Sequence, residues 1–156
     1  MAAFPPRQTS RELGGRHTQV FLQSFEDRVL VLVTQVGKVG NLIQAALPPT
    51  ASLLPPTDTS QLNKLVLPEP SPAIELTPLL GSAPSPHLQI LHSLYASQIA
   101  TIIWTEESKS NLESFRRSVV VGLALARSSR LESDSAIEER EVFEGVMASL
   151  YDLLKV

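Results

Sequence analysis

The chain has 156 residues, 43% hydrophobic and 19% charged, which is enough for one globular domain with a core and too few for two. Its net charge of −3, with no basic run longer than Arg116-Arg117, offers no field for a phosphate backbone, so nucleic acid is not an expected partner. The absence of cysteine excludes disulfides, thiolate catalysis and cysteine-ligated zinc.

The first residues, MAAFPPRQTSRELGG, carry prolines and charges where a signal peptide needs an apolar run. The longest apolar runs, Val29 to Val33 and Val119 to Ala126, fall well short of the roughly 20 residues that span a bilayer. These features predict a soluble intracellular protein.

In chain order, residues 1–16 read as a flexible terminus and 17–156 as a single α+β domain. His17 to Phe25 mixes β-branched and aromatic residues with polar ones, Glu26-Asp27-Arg28 supplies a turn, and RVLVLVTQV begins at Arg28, which reads as strand, turn, strand. Asn41 to Leu47 returns as a third strand, giving a meander of sequence neighbours. Ten of the chain's 12 prolines then fall between Pro48 and Pro86, with LPPT repeated at Leu47 to Thr50 and Leu54 to Thr57. Proline fixes φ and removes ladder donors, so this is mostly loop, and a proline-rich insertion at about 48–72 is expected to be mobile. Of two apolar islands, Leu62 to Leu67 and Ala73 to Leu80, the second is preferred as a fourth strand, demoted toward an edge by Thr77-Pro78.

Ser85-Pro86 has the form of a helix start, serine as cap and proline at the first helical position. Leu88, Leu91, Tyr95, Ile99, Ile102 and Ile103 follow at spacings that share one face, predicting a helix over Pro86 to Thr105. Arg117 to Arg127 restores a strand-like apolar run, expected in the centre of the sheet. Ser135-Ala136-Ile137-Glu138 fits a capping box and opens a second helix to Leu154.

Val29 to Val33 and Val119 to Val121 do not alternate with polar residues, so both faces of their strands must be covered. Two helices cover one face of an antiparallel sheet of five or six strands. Leaving the other bare would forgo about 1.5–3 kcal/mol per side chain, so it is expected to dimerise, with Val29, Val31, Val33, Val119 and Val121 named for the interface. The alternative is that the proline-rich segment folds back as the cover.

Gly37-Lys38-Val39-Gly40 is not a phosphate loop. The Walker pattern needs four residues before Gly-Lys and a Ser or Thr after it, and G-x-G-x-x-G is not met either. Glycines bracketing a short break between strands supply positive φ in a hairpin, so the stretch reads as a turn presenting Lys38.

On these residues, a strand LVLVTQ followed by Gly-Lys-x-Gly and a return strand, the chain resembles the proteasome assembly chaperone 3 family. The likeness covers about Thr18 to Leu47 and Ala73 to Leu154. Downstream it rests on element order and hydrophobic pattern: a helix, a VVVGLALA strand and a carboxyl-terminal amphipathic helix. The long proline-rich insertion is a departure from it. The resemblance implies a non-enzymatic chaperone of proteasome core particle alpha-ring assembly. Such a protein would pair with assembly chaperone 4 or with itself through its sheet and bind an alpha-type subunit, without cofactors. Thr34, Gln35, Gly37, Lys38, Gly40 and Asn41 are the expected partner-binding residues. A dimeric adaptor of the roadblock or longin sort, in trafficking or signalling, is the alternative.

Nothing points to catalysis. There is no G-x-S-x-G elbow, and His87 and His92 lie five apart rather than at the i, i+4 spacing of helical metal ligands. The acidic set Glu138, Glu139, Glu141 and Glu144 reads as a solvated face near the positive end of the helix dipole. Trp104 reads as core rather than as a partner anchor.

Overall fold

The computed structural model describes residues 5–35, 37, 40–48, 50–51, 67–83, 85–110, 117–125 and 132–154, excluding the side chains of 109–110 and 132–135. The fold is α+β. The elements are β1 (Arg7–Leu13), β2 (Arg16–Ser24), β3 (Arg28–Thr34), β4 (Asn41–Ala46), β5 (Glu75–Leu80), α1 (Pro86–Ser110), β6 (Ser118–Ala124) and α2 (Glu132–Leu154). One six-stranded sheet takes the order β1-β2-β3-β6-β4-β5. Neighbours are antiparallel except β3 and β6, which run parallel from Arg28↔Ser118 to Thr34↔Ala124.

Two expectations are corrected here. The terminus read as flexible contains β1, paired along its whole length with β2. Its sequence, RQTSREL, alternates half-buried and exposed positions without an apolar pattern, because the inward positions include Arg7 and Arg11, which reach α2. The three-strand meander is also wrong. β6 lies between β3 and β4, so the chain after β3 steps across the end of β6 before returning as β4. As expected, β6 is central, and β5, with Pro78 in it and a register irregularity opposite Leu42 and Ile43, is an edge.

Both helices pack on one sheet face, α1 over β4 and β6 and α2 over β1 and β2. That face supplies Val20, Leu22, Val29, Val31, Val33, Ala45, Val119, Val121 and Leu123 to a core shared with Tyr95, Ile99, Ile103, Val146, Met147 and Leu150. Val29, Val31, Val33, Val119 and Val121, named above for dimerisation, are thus 0–1% exposed beneath the chain's own helices, and their interface role is withdrawn. Strand alternation sends the odd-numbered valines one way and Leu30, Leu32 and Val120 the other, and no sequence signal says which set the helices cover.

α1 starts as predicted, with Ser85 Oγ accepting from Leu88 N at 3.2 Å. It extends past Thr105 to Ser110. Every residue from Gln98 to Trp104 is buried, so the middle of α1 is enclosed on all sides rather than along one stripe. Gln98 meets this enclosure by donating Nε2 to the Pro68 carbonyl at 2.8 Å. Trp104 is core as expected, donating Nε1 to the Arg117 carbonyl at 2.8 Å. Most of the proline-rich insertion lies outside the described residues, although Ala51 and Leu67 at its ends pack on the core.

α2 begins at Glu132, three residues before Ser135, so Ser135 lies within the helix and not at its start as expected, and its side chain is outside the described residues. The acidic face is not uniformly solvated. Glu138 is buried against the β1–β2 turn, within 2.9 Å of where a Cβ on Gly14 would stand, and Glu139 pairs with His87 at 2.9 Å. No helix among the described residues is long and apolar enough to cross a membrane.

Candidate functional site

Between β3 and β4 the backbone must pass over the end of β6 without displacing it. Gln35 N donates to the Ala124 carbonyl at 2.8 Å, extending the β3–β6 ladder by one bond. Gly37 and Gly40 both have φ of +70°, as the turn chemistry requires. Their surroundings differ. A Cβ at Gly37 would meet nothing, whereas one at Gly40 would lie 2.0 Å from the Leu123 carbonyl oxygen. Gly40 is therefore glycine for close approach as well as for φ.

Of the six predicted contact residues, Lys38 lies outside the described residues. Gly37 and Gly40 are exposed, and Thr34, Gln35 and Asn41 are half-buried. Gln35 donates Nε2 to Thr18 Oγ1 at 3.0 Å. Asn41 turns the other way, under α1, where its Nδ2 lies 3.2 Å from His92 Nδ1. These two side chains hold the crossing in place from opposite ends. Sequence spacing grouped them as one patch, but they point into different parts of the fold.

The second surface is the sheet face away from the helices. Register places Phe21, Leu32, Gly122 and Leu42 in one row across β2, β3, β6 and β4, and Gln23, Leu30, Val120 and Gln44 in the next. Phe21, Leu30, Leu32 and Leu42 are half-buried and Val120 is 6% exposed. At the β1 margin the same face carries Gln8, Ser10 and Glu12, all exposed. The outcome is an apolar centre with a polar border, neither helix lying over it. Sequence reasoning found that this face exists and misassigned its residues by one position.

Among the described residues, the ionisable groups with shifted pKa are His92, Tyr95 and Tyr151. Burial lowers the His92 pKa and, with the Glu139 charge adding to it, raises that of Tyr95, whose ring stands edge-on to Phe143 at 5.0 Å. Among the described residues no group of three or more His, Asp or Glu could hold a metal ion.

The class defined by these features is an open, mostly antiparallel sheet with two helices on one face. No family model matches the chain, and no curated protein matches it. Among solved structures, it is similar to a chain in the crystal structure of a novel chaperone complex for yeast 20S proteasome assembly. That similarity has 14% identity and a TM-score of 0.49, and covers 99% of each chain.

Proposed function

We propose that the chain is a non-enzymatic chaperone for assembly of the proteasome core particle alpha ring. In this reading it works in the cytoplasm, and in the nucleus as well, as a dimer with assembly chaperone 4 or with a second copy of itself, and binds an alpha-type subunit. The observation that carries it is the helix-free sheet face, where Phe21, Leu30, Leu32, Val120 and Leu42 form an apolar centre inside a polar border. That arrangement suits a sheet-to-sheet partner, which would remove the remaining exposed area of Phe21, Leu30, Leu32 and Leu42 from water, Val120 being buried already. The Thr34-Gln35-x-Gly37-Lys38-x-Gly40 signature and the order of the later elements support this particular class of chaperone over an adaptor of similar architecture.

The test is the solution mass of the purified chain by light scattering, alone and co-expressed with assembly chaperone 4, followed by pull-down of alpha-type subunits. A dimer that the Leu32→Glu variant dissolves, together with capture of an alpha subunit, is expected. A monomer under both conditions that captures no alpha subunit removes the reading.

A further inference from the structure

Three of the chain's prolines follow a hydroxyl-bearing residue, in Ser71-Pro72, Thr77-Pro78 and Ser85-Pro86. Such a pair is the minimal substrate of a proline-directed protein kinase, because the residue after the hydroxyl brings no N–H that the neighbouring subsite must satisfy. The structure separates the three. Ser71 is half-buried and its Oγ accepts from Ala73 N at 3.1 Å, and Ser85 is half-buried with its Oγ accepting from Leu88 N as the cap of α1. Thr77 is exposed, as are Glu75 and every residue from Pro78 to Leu80.

β5 also presents Thr77 in a usable form. A kinase takes its substrate as an extended segment, and β5 is extended already. It is the last strand of the sheet, paired with β4, and its register with β4 slips opposite Leu42 and Ile43, next to Pro78. A margin strand interrupted in this way opens at lower cost than the interior strands β3 and β6.

The position gives a phosphate there a consequence. Cross-strand partners share a face of the sheet. Thr77 lies opposite Gln44, and Gln44 opposite Val120, so Thr77 continues the row of Val120 onto β5 at the margin of the outer face. Two strand spacings put it roughly 10 Å from Val120. Leu80, 61% exposed and opposite Leu42, extends the neighbouring apolar row to the same margin. Glu75, opposite Ala46, stands two residues away on the same face. A phosphothreonine carries about −1.5 to −2 charges at neutral pH, so covering this margin would crowd and desolvate a dianion beside a carboxylate.

We infer that Thr77 is a phosphorylation site for a proline-directed kinase and that the modification blocks pairing through the outer face. Thr77 Oγ1 attacks the γ-phosphorus of magnesium-bound ATP, and the new O–P bond replaces the bond to the β,γ-bridging oxygen. ADP leaves, and the hydroxyl proton passes to the catalytic carboxylate of the kinase. The chain is modified as a monomer, with β5 accessible, and stays unpaired until a phosphatase hydrolyses the ester. This regulation rests on the outer face being the pairing surface, as proposed above.

The experiment treats the full chain with a purified mitogen-activated protein kinase and magnesium ATP, locates the phosphate by mass spectrometry, and then follows association by light scattering, alone and after mixing with assembly chaperone 4. The expected result is phosphate on Thr77 and a dissociation constant raised at least about tenfold, a difference of about 1.4 kcal/mol, with phosphatase restoring the parent value. Thr77→Val, a β-branched replacement suited to a strand, should pair like the untreated parent after the same treatment, whatever phosphate Ser71 or Ser85 takes. The proposal is overturned if Thr77 of the folded chain takes no phosphate, if the phosphorylated chain pairs as tightly as the parent, or if treated Thr77→Val loses pairing to the same extent. A parent chain that pairs under neither condition removes the outer-face reading and the switch with it, whereas parent and phosphorylated chains that pair equally remove the switch alone.

Discussion

Arg7 donates Nη1 to the main-chain carbonyl of Leu153 at 2.8 Å, joining the first strand to the last turn of the last helix. α2 has no basic residue in its own last turn, so this guanidinium, brought by β1, satisfies a terminal carbonyl and meets the negative end of the helix dipole. Arg7→Ala is expected to cost about 1–2 kcal/mol in urea unfolding, since the bond is charge-assisted and partly buried. Arg11, paired with Asp152 at an exposed position, should contribute under about 1 kcal/mol when replaced by Ala. Equal effects of the two substitutions would contradict this account of β1.

The two glycines of the β3–β4 crossing separate conformational from steric cost. Gly37→Ala meets open space and should lose only the left-handed backbone penalty, about 1–2 kcal/mol. Gly40→Ala adds a collision with the Leu123 carbonyl and must move the crossing or the end of β6, so its loss should exceed that of Gly37→Ala clearly. Paired denaturation midpoints of the two variants measure the difference.

His92 should make the fold acid-sensitive. Burial holds its pKa below the ordinary 6.5, so as pH falls through 6.5 the unfolded chain takes up a proton that the folded chain does not. Stability therefore decreases on acidification from 6.5 down to the folded value and levels off below it. Urea midpoints taken from about pH 8 to about pH 5 should show this decline, and His92→Gln should flatten it. A decline of the same size in that variant would assign it to other groups.

Adjacent residues of β3 give opposite readouts. Val31 is fully buried under the helices, and Val31→Ala should cost about 2 kcal/mol of stability without changing the association state. Leu32, half-buried on the outer face, should give a smaller stability loss as Leu32→Ala and a larger loss of dimer by light scattering. If Leu32→Ala leaves the mass of a dimer unchanged, the outer face is not the contact.

Elements announced by their own residues were legible in the sequence. Ser85-Pro86 marked the start of α1, Pro78 marked an edge strand, and the uninterrupted Val119 to Ala124 run marked a central one. β1 was hidden because its inward side chains are arginines whose role depends on α2. The β3–β6 pairing was hidden because nothing local encodes a partner so distant along the chain. Sheet parity escaped for a related reason: valine and leucine alternate in VLVLV, so both faces look like core. At the candidate site, the positive φ of Gly37 and Gly40 was legible, but the hairpin they were expected to close is a crossing over β6 between strands that do not pair, and the inward commitment of Asn41 to His92 was hidden because it requires α1 to be in place.

The position of β6 also sets an order of events during synthesis. Arg28 of β3 pairs with Ser118, about 90 residues further along, and the same late strand provides the inner neighbour of β4. While the chain emerges, the β1-β2-β3 and β4-β5 groups can each form by local pairing but have nothing between them to join. The inner edges of both, with Val31 and Ile43 facing the gap, stay unpaired until residue 124 is available. Non-local closure of this kind slows folding and leaves adhesive strand edges exposed in the meantime. A nascent or truncated form that stops before β6 is thus two unfinished half-sheets, each a template for pairing with other chains.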